Sequence, residues 1–202
     1  IRSINKLLTF ESQEEIEEIK AWHEKNKEAI EDNQYKGIFK GKNIIFLQLE
    51  SFENFIINRK VNGKEITPYL NKLIREGFYF NNIYEQNNGG NSSDADLMVN
   101  TSTFTLSGLI TATHYGEVVY PHSFQRILKS EGYVTVSAHA DKAGEFNWTE
   151  LHKNGLGVDI LWDLRAFNYE ETVGYGLSDR SFLSQLAEKM KNLPEPYYVF
   201  AP

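Results

Sequence analysis

The sequence predicts an α/β sandwich built on a largely parallel sheet. Three observations lead there. Short apolar runs rich in β-branched and aromatic residues recur along the chain. Segments of helical periodicity lie between them. Carboxylate, hydroxyl and imidazole side chains fall just after the apolar runs, where sheets of this kind hold ligands.

Taken in order, the elements read as follows. Ser12 to Asp32 is a charged helix with Ile16, Ile19, Trp22 and Ile30 on one face. Ser12 is its expected cap, with Glu14 and Glu15 in the first turn. It is an arm or an interaction tail, and residues 33–42 are a linker. Asn43 to Leu49 is near-continuously apolar and predicts a buried strand. Thr67-Pro68 opens a helix carrying Leu70, Leu73 and Ile74, and Gly77 stops it. Phe78 to Tyr84 predicts a second strand. A helix is expected to begin within Ser92 to Asp94, with Ser92 or Ser93 as its cap. His122 to Ser130 predicts another, with His122 as cap. Tyr133 to Ala138 and Val158 to Trp162 are strands. Ser178 to Lys191 is a helix capped by Ser178 or Asp179, and Tyr197 to Ala201 is the last strand.

Composition narrows the partners. The 202 residues carry 21 Lys plus Arg against 28 Asp plus Glu, a net charge of −7. That balance argues against nucleic acid, whose binding rests on clustered cations. It leaves room for a phosphate ester, since a bound metal supplies positive charge locally. With no cysteine, thiolate zinc sites, disulfides and a Cys nucleophile are excluded. No apolar run approaches the roughly 20 residues of a membrane helix. The chain begins with Ile1 and ends on an apolar run, so both ends read as cut.

Three groups stand at the expected strand ends. Glu50 follows the first strand; it is either a strand-end acid facing a helix dipole or a ligand for a hard cation such as Mg²⁺ or Mn²⁺. Gly89-Gly90-Asn91-Ser92-Ser93-Asp94 is either a helix cap or a nucleophile loop, with a hydroxyl at a helix N-terminus that attracts anions. His139-Ala140-Asp141 supplies an imidazole that either bonds a backbone carbonyl or binds a substrate oxygen, with Asp141 orienting the ring.

These residues carry a resemblance. From about Lys42 to the last residue the chain resembles the extracellular catalytic domain of the lipoteichoic acid synthase family, within the alkaline phosphatase and sulfatase superfamily. The most specific stretch is Leu49 to Leu73, LESFENFIINRKVNGKEITPYLNKL. Gly90 to Asp96 resembles the family's Gly-x-Thr-Ser-Asp-x-Glu. His139-Ala140-Asp141 resembles its His-Gly-Asp, and Gly176-Leu177-Ser178-Asp179 its Gly-Leu-x-Asp.

The resemblance implies an alkaline phosphatase-like three-layer sandwich with a mostly parallel central sheet. It implies an incomplete catalytic domain at 43–202, preceded by a helical arm at 1–42. It implies a bacterial enzyme held at the cell membrane and facing outward, moving glycerol phosphate from a phosphatidylglycerol-like lipid. Ser92 is then the catalytic nucleophile, in place of the family's Thr, and with Glu50 a ligand of Mn²⁺ or Mg²⁺. His139, Asp141 and Trp148 bind substrate. Trp148 stands where the family has a phosphate-gripping Arg. The family's Asp-His metal pair has no counterpart here, so the remaining ligands are expected beyond residue 202. Two alternatives stay open. One is sulfate ester hydrolysis, although Ser92 is followed by Ser93-Asp94 rather than the sulfatase Pro and Arg. The other is a non-catalytic domain that binds anionic lipid or wall polymer, with Trp148 as a stacking platform.

Overall fold

The computed structural model describes residues 12–28, 31–141, 145–174 and 176–202. The chain divides into two units, Ile1–Lys40 and Gly41–Pro202. In the first, helix α1 spans Gln13–Asn26. Ser12 caps it through a reciprocal pair: its hydroxyl accepts from the Glu15 amide at 3.2 Å, and its own amide donates to the Glu15 carboxylate at 2.6 Å. The helix is shorter than the expected span to Asp32, because Lys27 is already extended. Ile30 lies outside the described residues.

The second unit alternates strands and helices. In chain order they are β1 (Ile44–Leu47), the hairpin β2 (Lys60–Val61) and β3 (Lys64–Glu65), α2 (Pro68–Glu76), α3 (Asn91–Thr101), α4 (Thr111–Tyr115), α5 (Phe124–Ser130), β4 (Val134–Ala138), β5 (Ile160–Trp162), the hairpin β6 (Thr172–Val173) and β7 (Gly176–Leu177), α6 (Asp179–Met190) and β8 (Tyr197–Ala201). The central sheet has the order β1-β8-β4-β5. Every pairing in it is parallel.

The two faces of β8 show why the apolar runs are continuous. Val199 and Ala201 face one way, onto Val136, Ala138 and the α6 residues Phe182 and Leu186. Tyr198 and Phe200 face the other, with Ile44, Phe46 and Leu128 of α5. A strand covered by helices on both sides has no face left for polar alternation. Burying each large side chain contributes roughly 1.5–3 kcal/mol. This is the helix–sheet–helix sandwich the sequence predicts.

Some expectations are corrected. Phe78 to Tyr84 is not a strand: it forms no ladder, and Phe78, Phe80, Ile83 and Tyr84 are all exposed. β propensity without a neighbouring strand does not make a sheet. Helix α3 starts at Asn91, and its cap position is Gly90, not a serine. Ser123, not His122, caps α5. Thr67 precedes α2, but its hydroxyl bonds the Asn71 side chain at 3.0 Å rather than capping the backbone. Ser178 caps α6, as expected.

Candidate active site

The strand ends of the sheet open into a cleft of about 810 Å³. Glu50, Ser92, His139, Asp141 and Trp148, the five residues singled out in the sequence, all line it. They come from four segments: the loop after β1, the start of α3, the end of β4 and the short helical turn Trp148–Glu150. Parallel topology brings two of these segments, the loop after β1 and the end of β4, to the same edge; Ser92 and Trp148 are brought there by the start of α3 and a helical turn.

Ser92 is the second residue of α3. Asn91 before it has a left-handed φ of 46°, a conformation that asparagine tolerates better than most residues. Gly90 is required by close approach. Its amide donates to Asp94 Oδ2 at 3.1 Å, so the buried carboxylate lies where a Cβ would stand. The other Asp94 oxygen accepts from the Ala112 amide at 3.2 Å. Asp94 therefore clamps the loop to the start of α4. The two serines separate clearly. The Ser93 hydroxyl donates to the Gly90 carbonyl at 2.7 Å. Ser92 is held by its backbone, whose carbonyl accepts from Gln48 Nε2 at 2.9 Å, and its hydroxyl is left for the cleft.

Glu50 is exposed and accepts a bond from Ser51 at 3.3 Å. Ser51 is itself left-handed, with φ 51°. Strained backbone on both sides of the cleft marks places where the surroundings, not local preference, set the conformation.

His139 extends β4, and its amide donates to the Trp162 carbonyl at 2.8 Å. Burial pushes its imidazole below the ordinary value. The carboxylates of Asp141 and Asp96 oppose that shift, and His152 adds to it. His139 is therefore neutral at pH 7. Unfolded histidine titrates near about 6.5. Below that pH the unfolded chain binds a proton that the folded chain resists, so stability is full above it and falls as the pH drops toward the folded value. Urea unfolding between pH 7.5 and pH 5 is expected to show a shallower loss in His139→Gln than in the parent; equal losses would remove His139 as the cause.

Trp148 is 7% exposed, and its ring packs against His139 at 5.1 Å and His152 at 4.5 Å between centroids. It is a wall rather than an open platform. An exposed aromatic in the cleft is Phe146, 62% exposed with φ 49°, and Phe52, which also lines it, is exposed at 36%. Sequence reasoning passed over Phe146. It also passed over His152 and gave Asp96 no role of its own. His152 is fully buried, with Nε2 at 2.8 Å from Asp96 Oδ2 and Nδ1 at 2.7 Å from Ser137 Oγ. The Ser92-to-Asp96 interval of one helical turn was visible in the sequence. The third partner, about 60 residues on, carried no local signal.

The donors suit a hard cation in kind, since Glu50 and Ser92 offer oxygen. They do not complete a site: among the described residues no three His, Cys, Asp or Glu side chains gather closely enough to hold a metal.

The sulfatase family model matches residues 42–201. The chain is 33% identical over 192 residues to the lipoteichoic acid synthase-like YvgJ of Bacillus subtilis, covering 94% of this chain and 30% of that protein. It is 35% identical over 175 residues to lipoteichoic acid synthase 2 of Bacillus subtilis, covering 84% of this chain and 26% of that one. The crystal structure of the lipoteichoic acid synthase LtaP from Listeria monocytogenes superposes with a TM-score of 0.78 at 34% identity, covering 90% of this chain and 45% of that chain. The chain thus spans about a third or less of the length of these curated relatives.

Proposed function

The chain belongs to the sulfatase family, as a domain of the lipoteichoic acid synthase type, and on that premise we propose that it forms the N-terminal part of a metal-dependent phosphoglycerol transferase. The observation that carries this reading is the gathering of Glu50, Ser92, His139, Asp141 and Trp148 around one cleft. The substrate is a phosphatidylglycerol-like lipid, presented at the outer face of a bacterial membrane.

Ser92 Oγ attacks phosphorus, and the bond to the diacylglycerol oxygen breaks. The leaving oxygen takes up a proton, and glycerol phosphate remains as an ester on Ser92. An acceptor hydroxyl then attacks the same phosphorus and releases Ser92. Ser92 stands in the first turn of α3, whose positive dipole end favours a phosphate. His139 donates an N–H to a phosphate oxygen, and Asp141 keeps its ring oriented. Trp148 excludes water from this side of the cleft. Glu50 and Ser92 would hold a divalent cation, with its further protein ligands lying outside these 202 residues. Mn²⁺ or Mg²⁺ held there would supply positive charge to the ionised hydroxyl and the developing phosphate charge.

The test is to incubate the full-length gene product with Mn²⁺ and phosphatidylglycerol and to map adducts by peptide mass spectrometry. A glycerol phosphate ester on Ser92 is expected. The same ester in Ser92→Ala would place the nucleophile elsewhere. Glu50→Ala is expected to weaken Mn²⁺ binding by at least about tenfold, with little change in thermal stability because Glu50 is exposed. Unchanged affinity by calorimetry removes Glu50 from the ligand set.

A further inference from the structure

A polar cluster that the proposed chemistry does not use runs from Asp96, on the lining of the cleft, to fully buried groups. His152 has no exposed surface. Its Nε2 meets the Asp96 carboxylate and its Nδ1 the Ser137 hydroxyl, so both ring nitrogens are partnered. Asp96 is fixed on its other side by Asn100 Nδ2 at 2.8 Å. Asn100 in turn accepts from Gln125 at 2.6 Å and from the Tyr198 hydroxyl at 3.1 Å.

The anchor points matter. Asp96 lies one helical turn after Ser92, on the same face of α3. Ser137 lies two residues before His139 on β4, on the same side of the strand. The Trp148 ring packs against both imidazoles. One side chain thus joins the helix that carries Ser92, the strand that delivers His139 and the indole between them.

We infer that His152 is a positioning residue, which sets the separation of Ser92 from His139 by tying Asp96 to Ser137. The inference rests on the reading of Ser92 and His139 given above. Neither Asp96 nor His152 touches the substrate in this role. A displacement of about 1 Å between reacting groups costs about a hundredfold in rate, so the tie acts on turnover and not on binding.

The experiment measures phosphatidylglycerol turnover with Mn²⁺ in the full-length protein for Ser92→Ala, His152→Gln and His152→Leu. It also follows the His139 imidazole by NMR titration. His152→Leu is expected to lower kcat about a hundredfold with KM within about threefold. His152→Gln keeps an N–H for Asp96 and is expected to lose only about tenfold. In His152→Gln the His139 pKa rises, because a neighbour that disfavours its charge is gone. A folded His152→Leu protein with kcat within about threefold of the parent overturns the inference. If the leucine variant does not fold, the glutamine variant decides: parent-like kcat and an unmoved His139 titration overturn it. Persistent turnover in Ser92→Ala would instead bring down the assignment of the nucleophile, a separate failure.

Discussion

Ser92→Ala is expected to lower glycerol phosphate transfer by at least about 10⁴-fold, in line with the loss of other enzymic nucleophiles. The fold should hardly register the change. Among the described residues the Ser92 hydroxyl has no side-chain hydrogen bond, unlike that of Ser93, and such substitutions stay within about 0.5 kcal/mol. For a protein of this size the melting temperature then moves by no more than about 2 °C. Ser93→Ala is the contrasting control. It loses the bond to the Gly90 carbonyl, costs about 1 kcal/mol and keeps turnover. Product assay and calorimetry on the same preparations separate the two. If Ser92→Ala kept more than about a tenth of parent turnover, the covalent route would be wrong.

Gly90→Ala is expected to be the most damaging small substitution near the site. The new methyl group occupies the place of the Asp94 carboxylate. Asp94 is fully buried and holds the amides of Gly90 and Ala112. Moving it aside strands two donors, at about 1–3 kcal/mol each, in addition to the overpacking itself. A loss of about 3 kcal/mol or more in urea unfolding follows, with Ser92 displaced and turnover lost. Gly90→Ala combined with Asp94→Ala makes room for the methyl group but leaves the donors unpaired, so stability returns only in part. An unchanged unfolding midpoint in the single variant would mean that the loop yields freely and that Asp94 is no clamp.

The sheet was legible because its inner strands β8 and β4 are covered by apolar packing; β1 carries the same kind of run but is not the buried strand expected, since Ile45 and Leu47 are left half exposed. Ile44 to Leu47 and Tyr197 to Ala201 read as unbroken apolar runs, and both are strands. The same cue failed at Phe78 to Tyr84. There hydrophobicity and β propensity had no partner strand, a fact of tertiary arrangement that no local window contains. The cap of α3 was misread because two serines beside an apolar helix look like caps. Close packing of Asp94 against Gly90 puts the helix start one residue earlier. In the cleft, Glu50 and Ser92 could be found because each follows an apolar run or a glycine pair. His152 could not, because its partners Asp96 and Ser137 meet it only in the folded chain.

The place of β8 in the sheet has a kinetic consequence. The strand lies between β1 and β4, so among the described residues β1 has no neighbour until residues 197–201 arrive. The Asn43 side chain receives the Tyr197 amide across 154 positions of sequence. Closing so long a loop is entropically expensive before any contact rewards it. Refolding should be slow, and a chain emerging from the ribosome must keep the tacky edge of β1 from sticking to other molecules until residues 197–201 come free.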